Sequence, residues 1–242
     1  MSRRLAVAFL PALLLAACSP FERGREGVMR FELCNGFWAA EFPPSTPVAA
    51  GGRVQLVGRY EGEPRAFEAV SLNPDVAETE AALQPYTVTG TEETGLVGWI
   101  WPKNPGDTVI ELRENGVVTD SVRLTVKRVD RLEWDVEEEA ARTDGGGLRF
   151  AVGETVHLIV TVYDDRGRRL AGSWAFAVEY PDSGIAAAPE QPRGSHCFPL
   201  PDFGPPATVL VEGRTPGRGI LRVRGIAGSP AVAEIPVEVV GR

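Results

Sequence analysis

The chain has 242 residues, with 25 Lys+Arg against 33 Asp+Glu and a formal charge of −8. Only two of the cations are lysines, Lys103 and Lys127, and the acidic balance argues against nucleic acid or another polyanion as partner. Two His and three Cys leave little for a His/Cys metal site, and the 27 Gly and 20 Pro, scattered as punctuation, point to many turns and an all-β fold.

Residues 1–18 read MSRRLAVAFLPALLLAAC. Arg3 and Arg4 open the segment, and the apolar run Leu5–Ala17 falls short of the roughly 20 residues that a spanning helix needs. It reads as a signal peptide over 1–17. Its end, Leu15-Ala16-Ala17-Cys18, resembles the bacterial lipobox. That resemblance implies cleavage after Ala17 and acylation of Cys18, leaving a mature chain that has lost Arg3 and Arg4. Two or more acyl chains give stable anchoring where one is marginal. Ser19 and Pro20 lack the aspartate that, in enteric-type sorting, marks retention in the inner membrane. The same resemblance therefore places the protein in the bacterial cell envelope, lipid-anchored at the outer membrane. An ordinary secretory signal fits less well, because Leu15 is large where an A-x-A site wants a small residue.

The elements follow in chain order. Val28–Cys34 and Phe37–Phe42, around Asn35-Gly36, read as a hairpin in a leader segment, 18–44, ahead of the first domain. Alternation at Val54, Leu56 and Gly58 marks a half-buried strand. Asn115-Gly116 between the runs 107–114 and 117–126 is a type I′ hairpin signal, since both turn positions need positive φ. Val122–Val129 closes one domain, and Arg131-Leu132-Glu133-Trp134 opens the next without a flexible linker. Asp135–Arg142 has room for a turn or two of helix. Val156, Leu158, Val160 and Val162 alternate again, ending at the tight turn Asp164-Asp165-Arg166-Gly167.

The two halves repeat each other. Gly51-Gly52-Arg53-Val54-Gln55-Leu56 matches Gly153-Glu154-Thr155-Val156-His157-Leu158, and Asn73-Pro74-Asp75-Val76-Ala77 resembles Pro181-Asp182-Ser183-Gly184-Ile185-Ala186. Pro105-Gly106 matches Pro216-Gly217, and Val122–Val126 matches Ile235–Val239. The order is kept and the spacing grows slowly, as insertions into duplicated domains would make it. These motifs resemble the bacterial immunoglobulin-like domains that stand in tandem on adhesins and envelope lipoproteins. The resemblance implies two immunoglobulin-like β-sandwiches, over 45–129 and 130–242, serving as spacers or as modules that bind another envelope or extracellular component. Antibody-type Cys…Trp…Cys spacing is absent.

Candidate chemistry is sparse. Cys34 and Cys197 are the two cysteines left once Cys18 is acylated, and in an oxidising envelope a remaining pair is expected to form a disulfide. His196-Cys197 lacks a separately positioned base, so neither catalysis nor metal binding is expected, and no cofactor is implied. Asp164-Asp165 and Asp182-Ser183 suit turn capping better than calcium. Trp99 and Trp101 share one face of a strand with Val97. Facing out they form a platform for a sugar ring or protein partner, and facing in they are core. The proline-rich segment Glu190–Pro206 is a recognition loop or an inert insertion. The chain reads as a non-enzymatic display module, with carbohydrate or cell-wall binding through Trp99 and Trp101 as the alternative.

Overall fold

The computed structural model describes residues 21–34, 41–87, 93–181, 184–187 and 208–241. Nearly all regular structure in it is β; the helical content is one 3-10 turn at Glu139–Ala141, inside the segment where a turn or two was expected. Among the described residues no helix is long and apolar enough to cross a membrane.

The first half contains β1 (Glu22–Arg23), β2 (Arg30–Cys34), β3 (Glu41–Phe42), β4 (Val48–Ala49), β5 (Val54–Glu61), β6 (Phe67–Ser71), β7 (Ala77–Thr79), β8 (Ala82–Thr87), β9 (Glu93–Pro102), β10 (Gly106–Glu114) and β11 (Val117–Lys127). They form one curled sheet in the order β1-β2-β5-β9-β8-β6-β10-β11-β4, with β3 on β2 and β7 on β9. Strand β8 makes the curl: Ala82 and Leu83 pair with β6, whereas Gln84 to Thr87 pair with β9. One strand thus serves both layers, and Phe31, Leu33, Leu56, Leu96, Ile110 and Leu124 fill the space between them. Asn115 (φ 52) and Gly116 (φ 79) form the expected hairpin turn, with Glu114 opposite Val117.

The second half contains β12 (Arg131–Val136), β13 (Leu148–Ala151), β14 (Thr155–Tyr163), β15 (Phe176–Glu179), β16 (Ala186–Ala187), β17 (Thr208–Gly213), β18 (Gly217–Gly225) and β19 (Val232–Val240). They make two four-stranded sheets, β12-β14-β17-β16 and β13-β19-β18-β15. Val156, Leu158, Val160 and Val162 point from β14 into a core shared with Phe150, Leu221, Val223 and Ile235. Period-two alternation explains this split, because successive side chains leave opposite faces of a strand.

Strand pairing carries the repeat into three dimensions. Ala77 faces Pro102 as Ala186 faces Gly213. Val48 lies parallel to Val126 as Phe150 does to Val239. The Ala50 N–H donates to the Lys127 carbonyl, and the Val152 N–H donates to that of Val240. Strands β2, β5, β7 and β9 therefore correspond to β12, β14, β16 and β17, and β4, β6, β10 and β11 to β13, β15, β18 and β19. The first half adds β1, β3 and β8.

This correspondence changes the reading of the N-terminal hairpin. Strands β2 and β3 do pair, but β2 does not stand ahead of the first sandwich: Arg30 to Cys34 all pair with β5. Met29, Phe31 and Leu33 are fully buried in the first core. The physical reason is burial, since three large apolar side chains on alternate positions need a core to cover them.

The halves meet through backbone. The Ala49 N–H donates to the Ala171 carbonyl at 2.8 Å and the Ala171 N–H to that of Pro47 at 2.9 Å. Arg53 and Ser173 exchange N–H···O bonds of 2.9 and 2.8 Å. Ala49 packs in the second core and Ala171 in the first. A Cβ on Gly52 would stand 2.9 Å from the Ser173 carbonyl oxygen, so this close approach requires glycine.

Candidate functional site

Strand β9 settles the direction of its tryptophans. Leu96 and Ile100 enter the core, so Trp99 and Trp101 leave the opposite face of the sheet. Trp101 is 40% exposed beside Glu78 of β7. Trp99 is half-buried, with the Arg53 guanidinium 5.2 Å from its ring centroid and Gln55 opposite it. Burial lowers the pKa of Arg53. The Trp99 backbone N–H donates to Glu80 Oε2 at 3.1 Å, fixing β9 against the 79–80 edge. One open indole and one stacked under arginine make a mixed cationic and aromatic patch rather than a flat double platform.

Along the same face the sheet becomes buried. Cys34, Val57 and Val97 form a small apolar cluster against Phe21 and Tyr86. Arg59 lies 4.2 Å from the Phe21 ring centroid, and Arg30 5.7 Å from it. Burial pushes the Tyr86 hydroxyl up to about 12, the Arg59 charge and hydrogen bond offsetting part of that effect.

Cys34 is disulfide-bonded to a cysteine outside the described residues, where Cys197, the partner expected from the sequence, also lies. Cys34 is fully buried, packed against Val57 and Val97. Cys18, Asp182-Ser183, His196 and the segment 190–206 also lie outside the described residues.

Asp164 behaves as turn chemistry requires. Its carboxylate accepts the N–H groups of Arg166 (3.0 Å) and Arg168 (2.8 Å) and the Arg168 Nε at 2.9 Å. Burial works to raise its pKa, but these hydrogen bonds and the Arg168 charge outweigh it and hold the carboxyl below its ordinary value. Glu137, Glu138 and His157 are the one metal-capable group among the described residues. Glu138 is already engaged there, accepting the His157 N–H at 2.9 Å and meeting its Nδ1 at 2.6 Å. His157, the only described histidine, bonds no serine, threonine or cysteine.

Two features escape the sequence. Asp120 is fully buried on β11, where its carboxylate accepts the N–H groups of Glu26 (3.0 Å), Met29 (2.6 Å) and Ser121 (2.7 Å). It clasps the strap 24–29 to the sheet, and a Cβ on Gly24 would fall 2.2 Å from its Oδ1. Beside the strap lies an open cleft of about 910 Å³ over the outer face of β10 and β11. Arg23, Arg25, Ser45, Leu72 and Arg123 are among the residues that line it. No motif announces either feature, because the residues come together only through the fold.

No family model matches the chain, and no curated protein does. Among solved structures, domains 4 and 5 of the S-layer protein SbsC align at a TM-score of 0.30 and 19% identity, over 72% of this chain and 76% of that one. The Yersinia pseudotuberculosis adhesin InvE aligns at 0.35 and 12%, over 81% of this chain and 56% of that one. The Escherichia coli adhesin FdeC aligns at 0.29 and 15%, over 92% and 65%. Scores and identities this low leave fold and function to be argued from the chain's own residues.

Proposed function

We propose that this is a non-enzymatic lipoprotein of the bacterial cell envelope, anchored through Cys18 at the outer membrane. Two tandem immunoglobulin-like sandwiches present a surface to another envelope or extracellular component. The observation that carries the reading is the equivalent pairing of four strands with four in each half. Repeated sandwiches joined by backbone hydrogen bonds suit display, because they hold a surface at a fixed distance from a tether. The lipobox-like Leu15-Ala16-Ala17-Cys18 supports the anchor. The bonding of His157 to Glu138 alone supports a role without chemistry on a substrate.

In-cell crosslinking of the full anchored chain tests this reading. One reproducible captured protein, with crosslinks confined to one surface, is the expected result. Repeated failure to capture any protein removes the display reading.

Carbohydrate or cell-wall binding is the second reading, favoured by the outward direction of Trp101 and by Arg53 beside Trp99. Titration with soluble peptidoglycan fragments or surface polysaccharide should then quench tryptophan emission, and Trp101→Ala should abolish the change. Emission that ignores every glycan disposes of it.

A further inference from the structure

We infer that the cleft beside β1 docks on the phosphate headgroups of the bilayer that carries the anchor. The inference rests on the reading of Cys18 as the acylated residue.

Only Ser19 and Pro20 separate Cys18 from Phe21. Three residue steps reach at most about 11 Å when fully extended. The interfacial zone of each leaflet is itself roughly 5–8 Å deep, so this tether cannot hold the body clear of the headgroups. The chain is fixed from Phe21 onward: its ring packs on the Cys34 cluster and Glu22 and Arg23 pair with Phe31 and Arg30. The surface nearest the bilayer is therefore the β1 side, which contributes Glu22 and Arg23 to the cleft.

That side has the charge a phosphate surface selects. Arg23 and Arg25 are exposed and make no ion pair among the described residues, while Arg123 shares its charge with Asp107 at 3.0 Å. The carboxylates beside them are engaged: Glu22 accepts the Ser45 hydroxyl at 2.6 Å and N–H at 3.2 Å, and Glu26 accepts the Ser121 hydroxyl at 3.0 Å. Leu72, 55% exposed, stands on the rim, where it meets the less polar depth of the interface. The chain as a whole carries −8. An anionic bilayer repels most of its surface, so the arginine side is the one allowed to approach.

The test uses the full acylated chain in vesicles of equal parts phosphatidylglycerol and phosphatidylcholine. Mass spectrometry of the N-terminal peptide first reads the acyl chains on Cys18. Hydrogen exchange then follows residues 21–29 and 71–73, with β18 and β19 as the undocked reference. The expected result is protection of the strap and rim on these vesicles, weakening as salt rises, and less protection on phosphatidylcholine alone. R23Q/R25Q should lower the docked-to-undocked ratio by about 30-fold, the equivalent of about 1 kcal/mol for each arginine near an anionic surface. An acylated chain whose strap and rim exchange as fast on these vesicles as in detergent, with β18 and β19 unchanged between the two, overturns docking and leaves the anchor intact. Equal protection by inorganic phosphate without vesicles overturns it too, making the cleft a soluble-anion site. An unmodified Cys18 overturns the anchor reading and the inference that rests on it.

Discussion

The two halves share eight strands in the same pairing, yet they treat their edges differently. Among the described residues of the second half, β12, β16, β13 and β15 end their sheets. In the first, β8 crosses from one layer to the other, β1 and β3 extend the β2 edge, and the strap clasped by Asp120 covers part of β11. An uncovered edge is a template for pairing with another chain. Among the described residues the first half is thus the more closed. One repeat pattern yields a platform and a more open module, and the additions rather than the shared strands make the difference.

Four changes break or sharpen that comparison. Phe31→Ala should have the largest effect, about 3–5 kcal/mol of stability, because it empties a fully buried site in the first core. A loss of less than about 1 kcal/mol in urea unfolding would make β2 an appendage, whereas its counterpart β12 belongs to a sandwich. Asp120→Ala should cost about 2–3 kcal/mol, since three backbone donors lose a buried acceptor. Exchange of residues 24–29 should accelerate well before global unfolding; unchanged exchange there would show that the strap holds without its clasp.

The third change concerns pH and the second half. Because the folded pKa of Asp164 lies below its unfolded value, its contribution is complete above about pH 4–5 and is lost as pH falls through the folded pKa. Asp164→Asn should flatten that part of the stability curve on the acid side of about pH 5, and a curve parallel to wild type would mean that other carboxylates carry the acid sensitivity. The smallest effect is expected at Gly116, whose φ of 79 stands in open space. Gly116→Ala there should cost about 1 kcal/mol of backbone strain and no packing, read as a small shift in thermal midpoint without change in strand content.

Local rules made much of this legible. Asn115-Gly116 gives the β10–β11 turn, the alternation of Val156 to Val162 gives β14, and the Asp164 turn follows from aspartate's reach to its own backbone. The repeat predicts paired halves, and its offset also bears on where the first half begins. With Arg131–Trp134 read as the second opening strand, the same offset puts the first at Val28–Cys34, inside the sandwich rather than in a leader ending at residue 44. Long-range partnerships stayed hidden. Pro85 lies within β8, where a proline argues against a central strand, so the layer crossing had no local sign. Asp120 sits between Thr119 and Ser121 as an ordinary polar residue, and its three donors come from the strap or its own neighbour. Tryptophan direction depended on which face of β9 the core chose. Period two fixes the partition of side chains without naming its inside.

The junction has a consequence for how such a protein can be cut into parts. Residues 47–53 lie within the first half but complete the second, and Ala171 and Ser173 do the reverse. A fragment ending at Val129 would carry the Ala49 and Arg53 amides with no acceptor and a small apolar patch where Ala171 had been. A fragment beginning at Asp130 would lack the Pro47 carbonyl and the Ala49 methyl. The repeats are separable on paper but interlocked as material, so grafting, truncation or circular rearrangement at residue 129 should yield aggregation-prone pieces. The unit that an engineer can transplant is the pair.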